Sequence, residues 1–298
     1  MNVEETAVKA KPFDEGDELY QQRARAALPL LVRQAKAQKT IFYADLAEEL
    51  GISNPRNLNF VLGSVGRTLI KLGQTKGMNI PPIQCLVVNQ ADELPGEGVD
   101  SFIEKEVIRG MTSPQRRAVI ARLLQEVFTF SRWDEVLDTF GMKPAPQDYS
   151  RLLRNIAASG CGGGESEHHI RLKQFIASHP DLLDLPKSVA KGVNEYRLPS
   201  GDELDVLFRK GDEWVVVEVK SHISSDEDLV RGFFQCVKYQ AVMEAFLLST
   251  NRPPEVRTVL VITRKLPESL LPLKNVLGIE VVQIAEPHEP AGKPPQPA

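Results

Sequence analysis

Asp205, Glu218 and Lys220 are the residues whose types and spacing point to chemistry. Leu204-Asp205-Val206-Leu207-Phe208 alternates as a strand does, Lys210-Gly211-Asp212 reads as a tight turn, and Trp214 to Lys220 is a β-branched run of strand length. The pattern predicts a hairpin. Strand side chains alternate faces, so Glu218 and Lys220 share one side and Val215, Val217 and Val219 the other, while Asp205 can face the charged pair across the ladder. So apolar a run belongs at the centre of a covered sheet, where an ionised Glu and Lys are costly unless they pair or bind an ion. Mg²⁺ and Mn²⁺ favour oxygen ligands and keep several waters, so two carboxylates and a phosphate oxygen would suffice as a site. The ion would polarise a phosphodiester and lower the pKa of a bound water, and Lys220 would orient that water or stabilise the developing charge. A surface hairpin with an incidental Glu–Lys pair is the plainer alternative.

These three residues resemble the Asp, Glu and Lys of the PD-(D/E)xK superfamily, the restriction-endonuclease-like nucleases. A second match follows in Asp226 to Phe246, where Gln235 and Tyr239 stand four apart on one face of a predicted helix, similar to the Gln-x-x-x-Tyr element of RecB-like members. The resemblance implies that this pair holds the nucleic-acid backbone or the catalytic Lys. It also implies an acidic residue on a helix before the first strand. Glu165 to Ile176, stopping near His179-Pro180, reads as that helix. Glu165, seven residues before Leu172, is the preferred ligand and Glu167 the second choice, while His169 stands where a Glu would also be expected. His168 and His169 could add imidazole ligands for Mn²⁺ or Zn²⁺, a plain helix-start pair being the simpler reading. Val256 to Thr263 reads as a strand, Glu268 to Val276 as a short helix and Ile279 to Ile284 as a last strand. The succession suits the αβββαβ core that the resemblance implies for residues 165–286.

Ser159-Gly160-Cys161-Gly162-Gly163-Gly164 is a flexible joint, and 159–164 is taken as a linker. Before it, residues 17–158 predict a mainly α-helical module. Asp17 to Gln38 is helix-like, with Pro29 expected to kink it or to start a second helix. Tyr43 to Gly51 and Asn57 to Leu72 predict two helices around a tight turn, a helix-turn-helix, and Ile83 to Asn89 a strand that could form a wing. Thr40 to about Gly98 resembles the winged-helix DNA-binding domain of the alkylguanine-DNA alkyltransferases and alkyltransferase-like proteins, through Tyr43-Ala44-Asp45-Leu46-Ala47, the Gly63-containing second helix and Ile80-Pro81-Pro82. That family's reactive Pro-Cys-His-Arg motif is absent. Gln84 stands at the nucleophile position beside Cys85, and no local His follows to activate it.

The net charge of the whole chain is -4, yet Tyr20 to Ile80 holds nine basic residues against three acidic ones, six units positive. That local excess suits phosphate contacts, with Arg56, Asn57, Arg67 and Lys71 as the DNA-binding candidates. Further on, Ser113 with Pro114 predicts a helix start, running to about Phe128, and Trp133, Leu137 and Phe140 read as core rather than as base-stacking residues. The 298 residues allow two cores, three scattered cysteines show no metal or disulfide spacing, and no long apolar run or signal peptide stands out. A soluble, cytoplasmic protein with no membrane partner is expected, with a disordered tail at 1–16 and a proline-rich disordered tail at 287–298.

Together these features predict a metal-dependent DNA endonuclease using Mg²⁺, with Mn²⁺ able to substitute, on double-stranded DNA, in defence or repair, and the resemblance implies action as a homodimer. Two alternatives stand beside it: a catalytically silent nucleic-acid-binding protein, and an alkyl-lesion-recognising factor on the same folds.

Overall fold

The computed structural model describes residues 9–102, 111–146, 149–158 and 167–287. The chain divides into two compact units: Met1–Asp148 with Leu271–Gly278, and Tyr149–Leu270 with Ile279–Ala298.

The first unit is mainly helical. Helix α1 (Leu19–Ala37) buries Ala24, Ala27, Leu28 and Leu31 against Val61, Val65 and Leu69 of α3 (Leu58–Lys76). It runs through Pro29 as one helix, so no second helix starts there; Leu28 and Leu31 are fully buried, and that packing outweighs the lost backbone bond. Strand β1 (Ile41–Phe42) leads into α2 (Tyr43–Glu49), which ends as expected at Gly51 with φ +64°. The expected strand over Ile83 to Asn89 is mostly a 3₁₀ turn at Ile83–Leu86, leaving a two-residue strand β2 (Val87–Val88) parallel to β1. The cause is local: Pro81 and Pro82 offer no amide to a ladder, and the Pro82 carbonyl accepts from the Cys85 amide at 3.0 Å, closing the turn. Helix α4 (Ser113–Thr129) is capped one residue earlier than Ser113, by Thr112, in a box with Gln115. In α5 (Trp133–Thr139), Trp133 and Leu137 are core, and the Trp133 indole donates to the Val127 carbonyl at 3.0 Å.

The second unit carries a five-stranded mixed sheet. Its elements are α6 (Ser150–Ala158), α7 (Glu167–Ser178), β3 (Val193–Arg197), β4 (Glu203–Lys210), β5 (Glu213–Lys220), α8 (Asp226–Ser249), β6 (Val256–Ile262) and, after α9 (Leu271–Leu277), β7 (Glu280–Gln283). The strand order is β3-β4-β5-β6-β7, antiparallel across the first two pairings and parallel across the last two. Gly211, at φ +62°, takes the left-handed position of the tight β4–β5 turn. Strand β5 is central and covered on both sides, which is why it reads as a nearly unbroken apolar run. Val215, Val217 and Val219 pack with Leu172 and Ile176 of α7; Trp214 and Val216 pack with Tyr239, Met243 and Leu247 of α8. Helix α8 begins with a capping box between Ser225 and Asp228, with three acidic residues in its first turn opposing the helix dipole.

Helix α9 lies between β6 and β7 in sequence but belongs to the first unit. There Lys274 pairs with Asp45 at 2.5 Å, the Asn275 amide donates to Glu49 at 2.8 Å, and Gln34 donates to the Asn275 carbonyl at 2.8 Å.

Candidate active site and metal centre

Asp205 lies where two ladders open. The β4–β5 pairing ends at Val206–Val217, and on the other side the β3–β4 pairing skips Asp205, opposite Glu195, whose φ of +56° breaks the pleat. At that opening the Asp205 Oδ2 accepts a hydrogen bond from the Val219 amide at 2.8 Å, so a side chain takes the place of a backbone carbonyl. Its Oδ1 lies 3.6 Å from His169 Nε2 and 3.9 Å from Lys173 Nζ, both on α7.

Glu218 is one residue from the amide that Asp205 holds, and only 3% of it is exposed. Burial, reinforced by the Asp205 charge, raises its carboxyl to about 7 against the pull of Lys220. The Lys220 ammonium donates to Glu218 Oε1 at 2.5 Å and to Gln235 Oε1 at 3.1 Å. Burial alone would lower the pKa of Lys220; the Glu218 carboxylate more than offsets this and holds it above the ordinary value. Lys220 is therefore a fixed cation rather than a proton acceptor. Gln235 is held in turn: its Nε2 donates to the Tyr239 hydroxyl at 3.2 Å, which donates to the Glu203 carbonyl at 3.4 Å. The Tyr239 phenol is raised well above its ordinary range by burial and then by the Glu218 charge, so it stays a neutral donor.

Thus Asp205, Glu218, Lys220, Gln235 and Tyr239 converge within one unit. Glu165 lies outside the described residues, and Glu167 is exposed at the start of α7. The α7 residues that reach Asp205 are His169 and Lys173. Lys173, 3% exposed, also donates to Glu195 at 3.0 Å, and the sequence analysis missed it. Its signal was present: it stands four residues after His169 and beside Leu172, a lysine on the buried stripe of an amphipathic helix. Gly232 was missed as well. A Cβ there would come within 3.3 Å of the Lys220 Cε and 2.9 Å of Leu260 Cδ1, so glycine lets the lysine stem pass beneath α8. Glycine costs about 1 kcal/mol in a helix interior, and that is the mark by which such a position is found.

The donor set fits a hard divalent cation. Lys220 engages Glu218 Oε1 and the Val219 amide engages Asp205 Oδ2, so the second oxygen of each carboxylate takes no part in those two bonds. A buried carboxylate repelled by a half-buried one is the environment that such an ion stabilises.

The DNA-binding candidates of the first unit separate. Arg56 and Asn57 are exposed in the 3₁₀ turn before α3, while Arg67 is half-buried with its guanidinium 5.7 Å from the centre of the Phe102 ring. Lys71 donates to Asp14 at 2.9 Å and Glu15 at 2.8 Å, and these bonds raise its pKa. Arg25, Arg33 and Lys36 likewise pair with Asp17, Glu49 and Asp134. Asp14, Glu15, Asp17 and Asp134 lie outside the counted window, so four acids offset much of the six-unit excess, while Glu49 was already in the count. Cys85 is fully buried, and burial pushes its thiol up to about 12, which suits an inert side chain.

Neither a family model nor a curated protein matches this chain. The solved structure described as "Structure of EndoMS-dsDNA2 complex" is similar over 44% of this chain and 51% of that chain, at 18% identity and a TM-score of 0.30. This chain thus spans about half the length of that one. A likeness of that size carries no weight for fold or function. Among the described residues, no helix is long and apolar enough to cross a membrane.

Proposed function

We propose that the second unit is a divalent-cation-dependent nuclease that hydrolyses phosphodiester bonds in double-stranded DNA. The observation that carries this reading is the placement of Glu218, 3% exposed, against Lys220 and beside the ladder opening that holds Asp205. An acid raised to about 7 by burial, and then by a neighbouring carboxylate, costs the fold stability, and a cation shared by the two acids would offset that cost.

Asp205 and Glu218 would hold Mg²⁺, or Mn²⁺ in its place. The bound ion would polarise the phosphate and acidify a water. Lys220, kept charged, orients that water and offsets charge building on the phosphate oxygens. Gln235 is a positioning residue, aiming Lys220 from α8, and Tyr239 fixes Gln235. Arg56 and Asn57, both exposed, would meet a DNA backbone from the first unit. Cutting both strands in one binding event would take two copies of the site, as a homodimer supplies.

A silent nucleic-acid-binding protein is the second reading. It is favoured by Lys173, whose ammonium, 3.9 Å from Asp205, can stand in for part of a cation's charge. Incubation of supercoiled plasmid with Mg²⁺ or Mn²⁺ separates the two. Nicking abolished by chelator and by Glu218→Gln supports the enzyme; DNA binding without any cutting across metals and substrates supports the binder.

A further inference from the structure

Away from the carboxylate pair, three side chains far apart in sequence meet within the second unit. His168 lies at the start of α7, His222 just beyond β5, and Glu286 beyond β7. One ligand atom from each lies within 4.8 Å of the others, and this is the only such His, Cys, Asp and Glu group among the described residues. The Glu286 carboxylate bridges the imidazoles: Oε2 is 2.9 Å from His222 Nδ1, and Oε1 meets His168 Nε2. The two rings stand edge to face, 5.4 Å apart between centroids.

We infer that His168, His222 and Glu286 form a second metal centre, for a borderline-soft divalent cation of the Zn²⁺ class. Two imidazoles and one carboxylate suit such an ion and do not suit Mg²⁺, which prefers oxygen ligands. A tetrahedral ion with bonds of about 2.0–2.1 Å sets its ligand atoms a little over 3 Å apart, so the cluster needs only a small contraction. Three protein ligands leave a fourth position for water. The three groups come from the N-terminal turn of a helix and from the chain beyond two strands, so a bound ion would pin these segments together. Two direct neighbours of the carboxylate pair are thereby fixed. His169, next to His168, lies 3.6 Å from Asp205, and Lys220 is two residues before His222. The centre is a positioning element for the first site and does not depend on that site being a nuclease.

The test is calorimetric titration of the metal-stripped full-length protein with zinc chloride, with Co²⁺ absorption as a second readout. The tightest equivalent of Zn²⁺, ahead of any zinc taken by the carboxylate pair, should bind at micromolar concentration or below, and Co²⁺ should give the intense visible bands of a tetrahedral site. His222→Ala and Glu286→Gln should each weaken zinc binding by at least about a hundredfold and remove those bands. Glu218→Gln and Asp205→Asn should leave both unchanged, a result that holds whether or not the protein cuts DNA. His222 is half-exposed, so its loss should not unfold the chain, and the near-isosteric Glu286→Gln provides an independent check. No binding at micromolar zinc overturns the inference. So does affinity that is untouched in the His168→Ala, His222→Ala and Glu286→Gln variants, or that disappears in Glu218→Gln.

Discussion

The Val219 amide donates to the Asp205 carboxylate at 2.8 Å across the open end of the β4–β5 ladder. Asp205 is therefore both a ligand candidate and a piece of the sheet. Asp205→Ala should destabilise the fold by about 1–3 kcal/mol, because a buried amide loses a charged acceptor, whereas Asp205→Asn keeps an acceptor and should stay within about 1 kcal/mol of wild type. Both should abolish cutting. Urea unfolding beside a cleavage assay checks the pair; equal stability of the two variants would remove the structural role.

Much of this unit was legible because its signals are local. The alternation at Leu204 to Phe208, the Gly211 turn and the Val-rich β5 fix a hairpin whose register follows from the turn, and that register carries Asp205 toward Glu218. Gln235 and Tyr239 needed only helical spacing. The contributions of α7 were harder to read, since Lys173 reaches Asp205 only once the helix is laid on the sheet. The charge excess of the first unit misled for a similar reason. Counting along the sequence cannot see Asp14, Glu15 and Asp134 fold back onto Lys71 and Lys36. The strand expected at Ile83 failed because β-propensity was read without weighing the two prolines before it.

Cation affinity should depend on pH through Glu218. With its carboxyl at about 7, the ionised form that binds a cation is complete above that pH and lost below it. Affinity for Mn²⁺ should therefore fall about tenfold per unit as pH drops below 7 and level off above it. Calorimetry at several pH values tests this, and a profile flat from pH 5 to pH 8 would rule out Glu218 as a ligand.

Lys220→Met should lower single-turnover cleavage by about 10²–10³-fold, the usual cost of losing one stabilising charge at a reacting centre. It should also move the pH dependence of Mn²⁺ affinity upward, because Glu218 loses the cation that pulls its pKa down. Gln235→Ala should slow the same step less. An unchanged rate in Lys220→Met would show that the ammonium only neutralises Glu218.

Gly232→Ala should reduce turnover while Mn²⁺ affinity persists, since the added methyl presses on the Lys220 stem without touching either acid. Parallel kinetics and calorimetry would detect the split. Wild-type turnover would mean that Lys220 has room to spare.

In the first unit, Arg56→Ala should weaken DNA binding and reduce the salt dependence by about one phosphate contact, while Lys71→Ala, already paired with Asp14 and Glu15, should change little. Fluorescence anisotropy across a salt series distinguishes them. The reverse ranking would place the DNA against α3 instead.

The most direct measurement is an anomalous difference map from a crystal grown with a short duplex and soaked in Mn²⁺. The account predicts a peak bound by oxygens of Asp205 and Glu218 at about 2.0–2.2 Å, with Lys220 facing the adjacent phosphate. A map with no peak between those two carboxylates, at full Mn²⁺ occupancy elsewhere, would contradict it.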